Sequence, residues 1–422
     1  MVEIRRPIPV WEAIERVMAH VRRLEAESIR LEDSYGRILA EPLIAAHDVP
    51  PFPRSPYDGF AIRSADSAGA SEQQRVSFRV VEHLGAGDTA SRGLAAGEAM
   101  RIMTGASMPL HADAVVMLEQ AQLAASGDAF TIRKPFSALE NVSLQGEDVR
   151  AGEPLIESGS LIHPGTIALL ATFGYADVQV ARRPRVGLIA TGSELLAVDE
   201  PLAPGKIRNS NGPMIAGQLA RLRVPHRSYG IMRDNLEDGL ALMRQAIAES
   251  DCVITTGGVS VGDYDYLPAI YERLGAQVLF NKVAMRPGSV TTVAVLGGKL
   301  LFGLSGNPSA CYIGFELFAR PALLAMMGSV KPYLPYTQAV LAEDFAQPNP
   351  FSRFIRAVYR YDGGQATVAS AGFNKSNAVS SIARGNALIV LPGGSRGAAQ
   401  GDVADVLLLG AEEGERQWRI PK

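Results

Sequence analysis

Cys252-Val253-Ile254-Thr255-Thr256, running straight into Gly257-Gly258-Val259-Ser260-Val261-Gly262-Asp263-Tyr264-Asp265-Tyr266, is the stretch on which the fold turns. The first five residues are apolar or β-prone without polar alternation, as in a parallel strand covered on both faces. The paired glycines end it in a loop where backbone can approach a ligand closely. Upstream, Val186 to Thr191 has the same texture and ends in Gly192-Ser193-Glu194. Between the two strands, Asn211-Gly212-Pro213 opens one helix. Asp234-Asn235-Leu236-Glu237 forms a capping-box pattern before a second, with Leu240, Met243 and Ile247 at helical spacing. Downstream, Val278 to Val283, Val290 to Val295 and Leu300 to Leu304 predict further strands. The last of them ends in Ser305-Gly306-Asn307-Pro308, and a helix follows from Ser309. This alternation predicts a doubly wound α/β domain over 181–330.

Outward from that domain the texture changes. Val10, Ile14, Val17, Val21 and Leu24 predict an amphipathic helix, and Pro9 suits its start. Pro50, Pro51, Pro53 and Pro56 break regular structure, and short apolar runs from Phe78 to Ile132 alternate with Gly-rich turns. These features predict a β module over 46–146, inserted into a helical and strand framework of 1–45 and 147–180. Pro332, Pro335, Pro348 and Pro350 read as a linker. The rest of 331–422 reads as a small β-barrel-like module with a frayed tail from Gly414. The expected fold class is therefore α/β plus β, in several domains.

With 41 basic and 44 acidic side chains and a net charge of -3, the chain lacks the cationic excess of a nucleic-acid surface. No run of about 18 apolar residues marks a spanning helix, and Arg5, Arg6 and two prolines replace a leader's apolar core. Cys252 and Cys311, the only cysteines, argue against a disulfide framework and for a reducing cytoplasm. Neither a nucleic-acid nor a membrane partner is expected.

Ligands of open α/β sheets bind outside the carboxyl ends of the strands. Three Gly-bearing loops fall there: Thr191 to Glu194, Gly257 to Tyr266, and Ser305 to Ser309. Their N–H groups suit phosphate or pterin oxygens. Glu194, Asp263 and Asp265, with Asp234 at the next turn, offer the oxygen ligands Mg²⁺ takes beside a phosphoanhydride. Lys282 and Arg286 are candidates to neutralise the same anion. Each signal has a plain alternative: Asp234 and Glu194 also suit helix caps, and the others suit solvated loop charges. The residues alone predict a phosphorylated ligand with a divalent metal.

At these loops and others the sequence resembles the molybdopterin molybdotransferase family, the MoeA type that includes the E domain of gephyrin. Ser55-Pro56-Tyr57-Asp58-Gly59-Phe60-Ala61 resembles S-x-x-D-G-[YF]-A, Arg101 to Ala106 matches R-I-M-T-G-A, and Gly146-Glu147-Asp148 matches G-E-D. The strand-end loops at Thr191, Gly257 and Gly306 follow in family order. The resemblance implies a head-to-tail homodimer whose active site combines the molybdopterin-binding domain of one copy with the Asp58 and Thr104 module of the other. It implies Mg²⁺-assisted attack of water on adenylylated molybdopterin, loss of AMP, and capture of molybdate by the dithiolene. By motif, Asp58, Thr104, Glu194, Asp234 and Asp265 would be catalytic, with Glu194 and Asp265 on the metal. Gly257, Gly258, Ser260, Lys282, Arg286, Ser305, Asn307, Pro308, Arg356 and Ser376 would hold substrate. A molybdopterin adenylyltransferase and recipient apo-molybdoenzymes are the implied partners.

The chain also departs from the family pattern. The usual basic residue before G-E-D is replaced within Ser143-Leu144-Gln145, and the usual K-P-G-K-P becomes Arg286-Pro287-Gly288-Ser289-Val290. Arg54 and Arg208, beside motif loops, are candidates to restore the lost charge. The losses also motivate two alternatives, a non-catalytic molybdopterin-binding or scaffold paralogue and the same reaction with tungstate.

Overall fold

Six strands build the central sheet of the computed structural model, which describes residues 6–232, 235–259, 266–411 and 413–420. Their order is His226–Met232, Val186–Thr191, Cys252–Thr256, Lys299–Leu304, Thr292–Leu296 and Gln277–Phe280. The first four run parallel, and the last two are antiparallel additions. Every residue of Val186–Thr191 and Cys252–Thr256 is buried, because helices cover both faces. Alternate side chains feed two cores. Leu188, Ile254 and Phe302 pack with Ile215 and Leu219 of the helix Asn211–Arg221, whereas Ile189, Val253 and Leu301 pack with Leu240, Met243 and Ile270. The helix Leu236–Glu249 starts at Asn235, whose side chain accepts from the N–H groups of Glu237 and Asp238 at 3.0 and 3.2 Å.

The chain forms two compact units, one of Met1–Glu41, Glu157–Ala168 and Tyr175–Lys422, the other of Pro42–Ile156 and Leu169–Gly174. In the first unit, the helix Val10–Met18 packs on the same core as the 308–326 helices and one face of a C-terminal sheet. That sheet closes on itself through Ser352–Asp362, Gln365–Ser370, Tyr336–Leu341, Val403–Leu408 and Ala387–Leu391, the last pairing back to the first. It is a small β barrel. In the second unit, a six-stranded sheet runs in the order Ala114–Met117, Gly59–Ile62, Glu98–Ile102, Val76–Leu84, Ala129–Ile132, Gln122–Leu123.

Three local expectations are corrected. The first helix ends at Met18, and Leu24 instead donates its N–H to Met326 O at 2.8 Å. The proline-flanked stretch read as a linker contains the strand Tyr336–Leu341. The tail read as frayed is docked through 420: Glu415 bridges Tyr333 and Trp418 lies edge-on to the Tyr333 ring at 6.4 Å, with Trp418 and Ile420 against the core. Both cysteines are free and buried, and burial raises their thiols. Among the described residues no helix is long and apolar enough to cross a membrane.

Candidate active site at the strand ends

The strand order sets Val186–Thr191 between His226–Met232 on one side and Cys252–Thr256 on the other. The winding reverses there, and a crevice opens beyond the carboxyl ends. Thr191 is buried and its Oγ1 donates to Thr256 O at 3.2 Å. Gly257 and Gly258 follow with φ of +93° and +67°. A Cβ on Gly257 would stand 2.6 Å from Thr191 O, and one on Gly258 2.8 Å from Thr191 Oγ1. Only glycine fits both the backbone conformation and the space. The exposed carboxylate of Glu194 folds over Gly192, and it has no hydrogen-bond or ion-pair partner among the described residues. Gly306 lies against Gly257, 3.5 Å from its Cα to the position a Cβ would take. The buried Asn211 amide donates to Gly306 O at 2.8 Å while its Oδ1 lacks a partner among the described residues. A cavity of about 900 Å³ adjoins these loops, lined in part by Gly192, Ser193, Lys206 and Asn209.

The third loop is tied to the C-terminal barrel. Asn307 N–H donates to Ser305 Oγ at 3.2 Å and Pro308 opens the following helix. Ser309 N–H donates to Ser376 O at 3.0 Å, and its hydroxyl donates to Ala378 O at 2.6 Å. Arg356, only 1% exposed, holds the same segment. Its Nη2 donates to Phe373 O and Lys375 O at 3.3 and 3.1 Å, and its Nε to Ser381 Oγ at 3.2 Å. Nη1 has no partner among the described residues, and burial pushes the guanidinium down to about 10. Arg286 is exposed, next to the ring of Phe351 at 5.9 Å. Lys282 is half-buried, and its carbonyl accepts from Ile8 N–H at 3.2 Å.

In the second compact unit, Asp58 precedes Gly59–Ile62 and Thr104 follows Glu98–Ile102, two paired strands. Asp58 Oδ1 accepts from Thr104 N–H at 2.7 Å and from its hydroxyl at 2.9 Å. These bonds, the backbone one foremost, hold the carboxyl below the usual range. Gly59 is obligatory, since a Cβ would meet Val116 O at 2.1 Å. Thus the S-x-x-D-G and R-I-M-T-G-A stretches form one polar pair. In the G-E-D stretch, Glu147 accepts from the Ser143 hydroxyl, and from Leu144 N–H at 2.9 Å. The Ser143 and Leu144 bonds lower Glu147, with a smaller contribution from the charge of Arg54. Arg208 Nε donates to Glu200 O at 3.2 Å.

Thus Gly257, Gly258, Ser305, Asn307, Pro308, Arg356 and Ser376 belong to one connected set of loops, with Glu194 at its rim. Asp58 and Thr104 pair within their own unit. Asp234, Ser260, Asp263 and Asp265 lie outside the described residues. Sequence reasoning overlooked two site residues. Thr191 sets the space for both glycines, and Asn211, read as part of a helix start, crosses to the third loop. An asparagine just inside a helix, where its side chain has little local use, was the available signal.

Three family models match the chain: the MoeA N-terminal region (domain I and II) over residues 8–174, a probable molybdopterin binding domain over 187–325, and the MoeA C-terminal region (domain IV) over 338–409. A molybdopterin molybdenumtransferase of Staphylococcus aureus (strain COL) is 52% identical over 417 residues, 99% of each chain. One from Staphylococcus epidermidis is 53% identical over 407 residues, 96% of this chain and 97% of the relative. The crystal structure of the molybdopterin biosynthesis MoeA protein from Pyrococcus horikoshii OT3 superposes with a TM-score of 0.82 at 28% identity, covering 96% of this chain and all of that one. On domain order, full-length identity and fold alike, the chain belongs to the MoeA family of molybdopterin molybdenumtransferases.

Proposed function

We propose that the protein inserts molybdenum from molybdate into adenylylated molybdopterin and releases AMP, as a cytoplasmic homodimer. The observation that carries this reading is the junction of Thr191, Gly257-Gly258 and Gly306, which packs three strand-end loops with side-chain-free backbone at the switch point. Such a surface accepts a phosphoanhydride through N–H groups. Asn211, with an acceptor left over, suits the polar edge of a pterin or adenine.

The reaction divides between hydrolysis and capture. Water attacks a phosphorus of the anhydride, the bridging P–O bond breaks and AMP leaves. Molybdate gives up one oxide as water, using the two thiol protons, as both dithiolene sulfurs bind the metal. Glu194 fits a hard cation such as Mg²⁺, which takes one or two carboxylates and fills its shell with water and phosphate oxygens. Bound there, the cation supplies charge neutralisation at the anhydride. Arg356, with Lys282 and Arg286, neutralises the tetrahedral oxyanions, and Ser376 donates a hydrogen bond to them. Asp58, ionised by its Thr104 bonds, orients or accepts a proton from the attacking water, reaching the loops of a second copy. AMP passes back to nucleotide metabolism, and the cofactor passes to an apo-molybdoenzyme.

Purified protein incubated with adenylylated molybdopterin, Mg²⁺ and molybdate should release AMP in proportion to molybdate consumed. Tight nucleotide binding without molybdate-dependent release would replace the transferase with a binding protein. Tungstate supporting release better than molybdate would change the assigned metal alone.

A further inference from the structure

The loop that departs most from the family pattern, Arg286-Pro287-Gly288-Ser289, meets a second arginine in the fold. Val283 N–H donates to Ser289 O at 2.9 Å and closes the loop. Within it, Met285–Arg286 pairs in parallel with Ser352–Arg353, so Arg286 and Arg353 are register partners. Directly paired residues on neighbouring strands project to the same side. Neither guanidinium has a carboxylate partner among the described residues: Arg353 Nη1 donates to Gln347 O at 3.3 Å, and Arg286 has the Phe351 ring. Burial and the Arg286 charge pull Arg353 below the usual guanidinium range. Two adjacent cations repel unless an anion lies between them. The loop is also in the right place, because a Cβ on Gly288 would stand 3.4 Å from Ala310 O, in the helix that follows Asn307.

We propose that Arg353 is a second oxyanion-binding residue, working with Arg286 and supplying the positive charge that Ser289 does not. The inference rests on the transferase reading for its ligand, a tetrahedral oxyanion: either molybdate or the phosphate of the nucleotide. Arginine suits this work, since its fork offers two parallel donors to such an anion. Ser289 closes the same loop that carries Arg286, so a cation placed at position 289 should return positive charge to that loop.

Isothermal titration of the full-length protein with sodium molybdate and, separately, with AMP tests this. Arg353→Gln should weaken one of the two at least tenfold, and the affected titrant identifies the oxyanion. Arg353→Lys, which keeps the charge and loses the fork, should lose less than Arg353→Gln, and Ser289→Lys added to Arg353→Gln should recover part of the loss. In the assay, the change should fall on KM for molybdate, or for adenylylated molybdopterin where AMP is the weakened titrant, with kcat nearly kept. Should Arg353→Gln fail to fold, arginine-selective dicarbonyl labelling of the unaltered protein decides: molybdate or AMP should shield Arg353 in peptide mass maps. A parent that binds both titrants, with Arg353→Gln unchanged or Arg353 unshielded, overturns the inference and leaves the transferase reading standing. A parent that binds neither removes both.

Discussion

Two buried arginines in this molecule are treated in opposite ways. Arg320, 2% exposed, lies in the helical layer beside Glu316, itself 1% exposed. Glu316 also accepts from Arg221, and from Gln218 Nε2 at 2.6 Å, and Arg320 Nη1 donates to Pro332 O at 2.8 Å. These charges sit in and beside a π-helical turn, Phe315–Ala319, and are ion-paired with one another, the Arg320 Nε–Glu316 Oε2 contact being a 3.9 Å ion pair in which Oε2 accepts no hydrogen bond from the described residues. Arg356 is as deeply buried but faces carbonyls and a hydroxyl, with Nη1 unused by any described residue. A buried charge without a counter-ion is costly, and it persists where something else gains from it. The first arrangement holds helices together; the second holds a cation at the loops proposed to meet substrate.

Removing the carboxylate from the closed network should have the largest effect. Glu316→Ala leaves Arg320 and Arg221 without their anion, and breaking a buried pair in this way costs about 3–5 kcal/mol. The midpoint of urea unfolding, followed by fluorescence of Trp11 and Trp418, should fall accordingly. A loss below about 1 kcal/mol would show that solvent or relaxation replaces Glu316 and that the two arginines do not differ in kind.

Arg356→Met should invert that result. Losing a desolvated cation offsets the lost hydrogen bonds, so stability should stay within about 1 kcal/mol of the parent. Oxyanion affinity should fall about 10- to 100-fold, the weight of a charge-assisted hydrogen bond. Molybdate at 100 times its Kd should raise the parent's unfolding free energy by about 2.7 kcal/mol, and the same concentration should do far less for the variant. Equal protection of both proteins would make Arg356 purely structural.

The contrast between the two arginines has no trace in composition or periodicity, and that marks the boundary of what the sequence shows. Val186–Thr191 and Cys252–Thr256 were legible because strands covered on both faces are apolar throughout. Leu236–Glu249 was legible from the 234–237 capping pattern and the 240, 243, 247 spacing, with the cap falling on Asn235, one residue beyond the Asp234 the pattern suggested. Tyr336–Leu341 was not, since only Ala339 and Leu341 are strongly buried in it and prolines flank it. Val21 and Leu24 continue the helical period past Met18, yet tertiary contact takes the chain elsewhere. Motif spacing led to the glycines of the strand-end loops and, in the other unit, to the paired Asp58 and Thr104. The partners of Arg356 and Arg286 come from other strands and loops, so local pattern carries no information about them.

The smallest predicted effect concerns a charge that is neither buried nor unpaired. Asp58 is exposed and held by two donors from one residue. Its folded pKa lies below the ordinary value, so its ionised form favours the folded state above the carboxylate range, and that contribution is lost as pH falls through the folded pKa. Thr104→Val removes the hydroxyl but keeps the backbone N–H, the larger of the two causes. Asp58 should therefore titrate higher than in the parent yet still below an unperturbed aspartate, as read by carboxyl NMR across pH 2 to 6. Molybdate-dependent AMP release should drop severalfold, with folding unchanged. If the Asp58 titration does not move, the hydroxyl is not a donor to it in solution, and the motif pair is joined through the backbone alone.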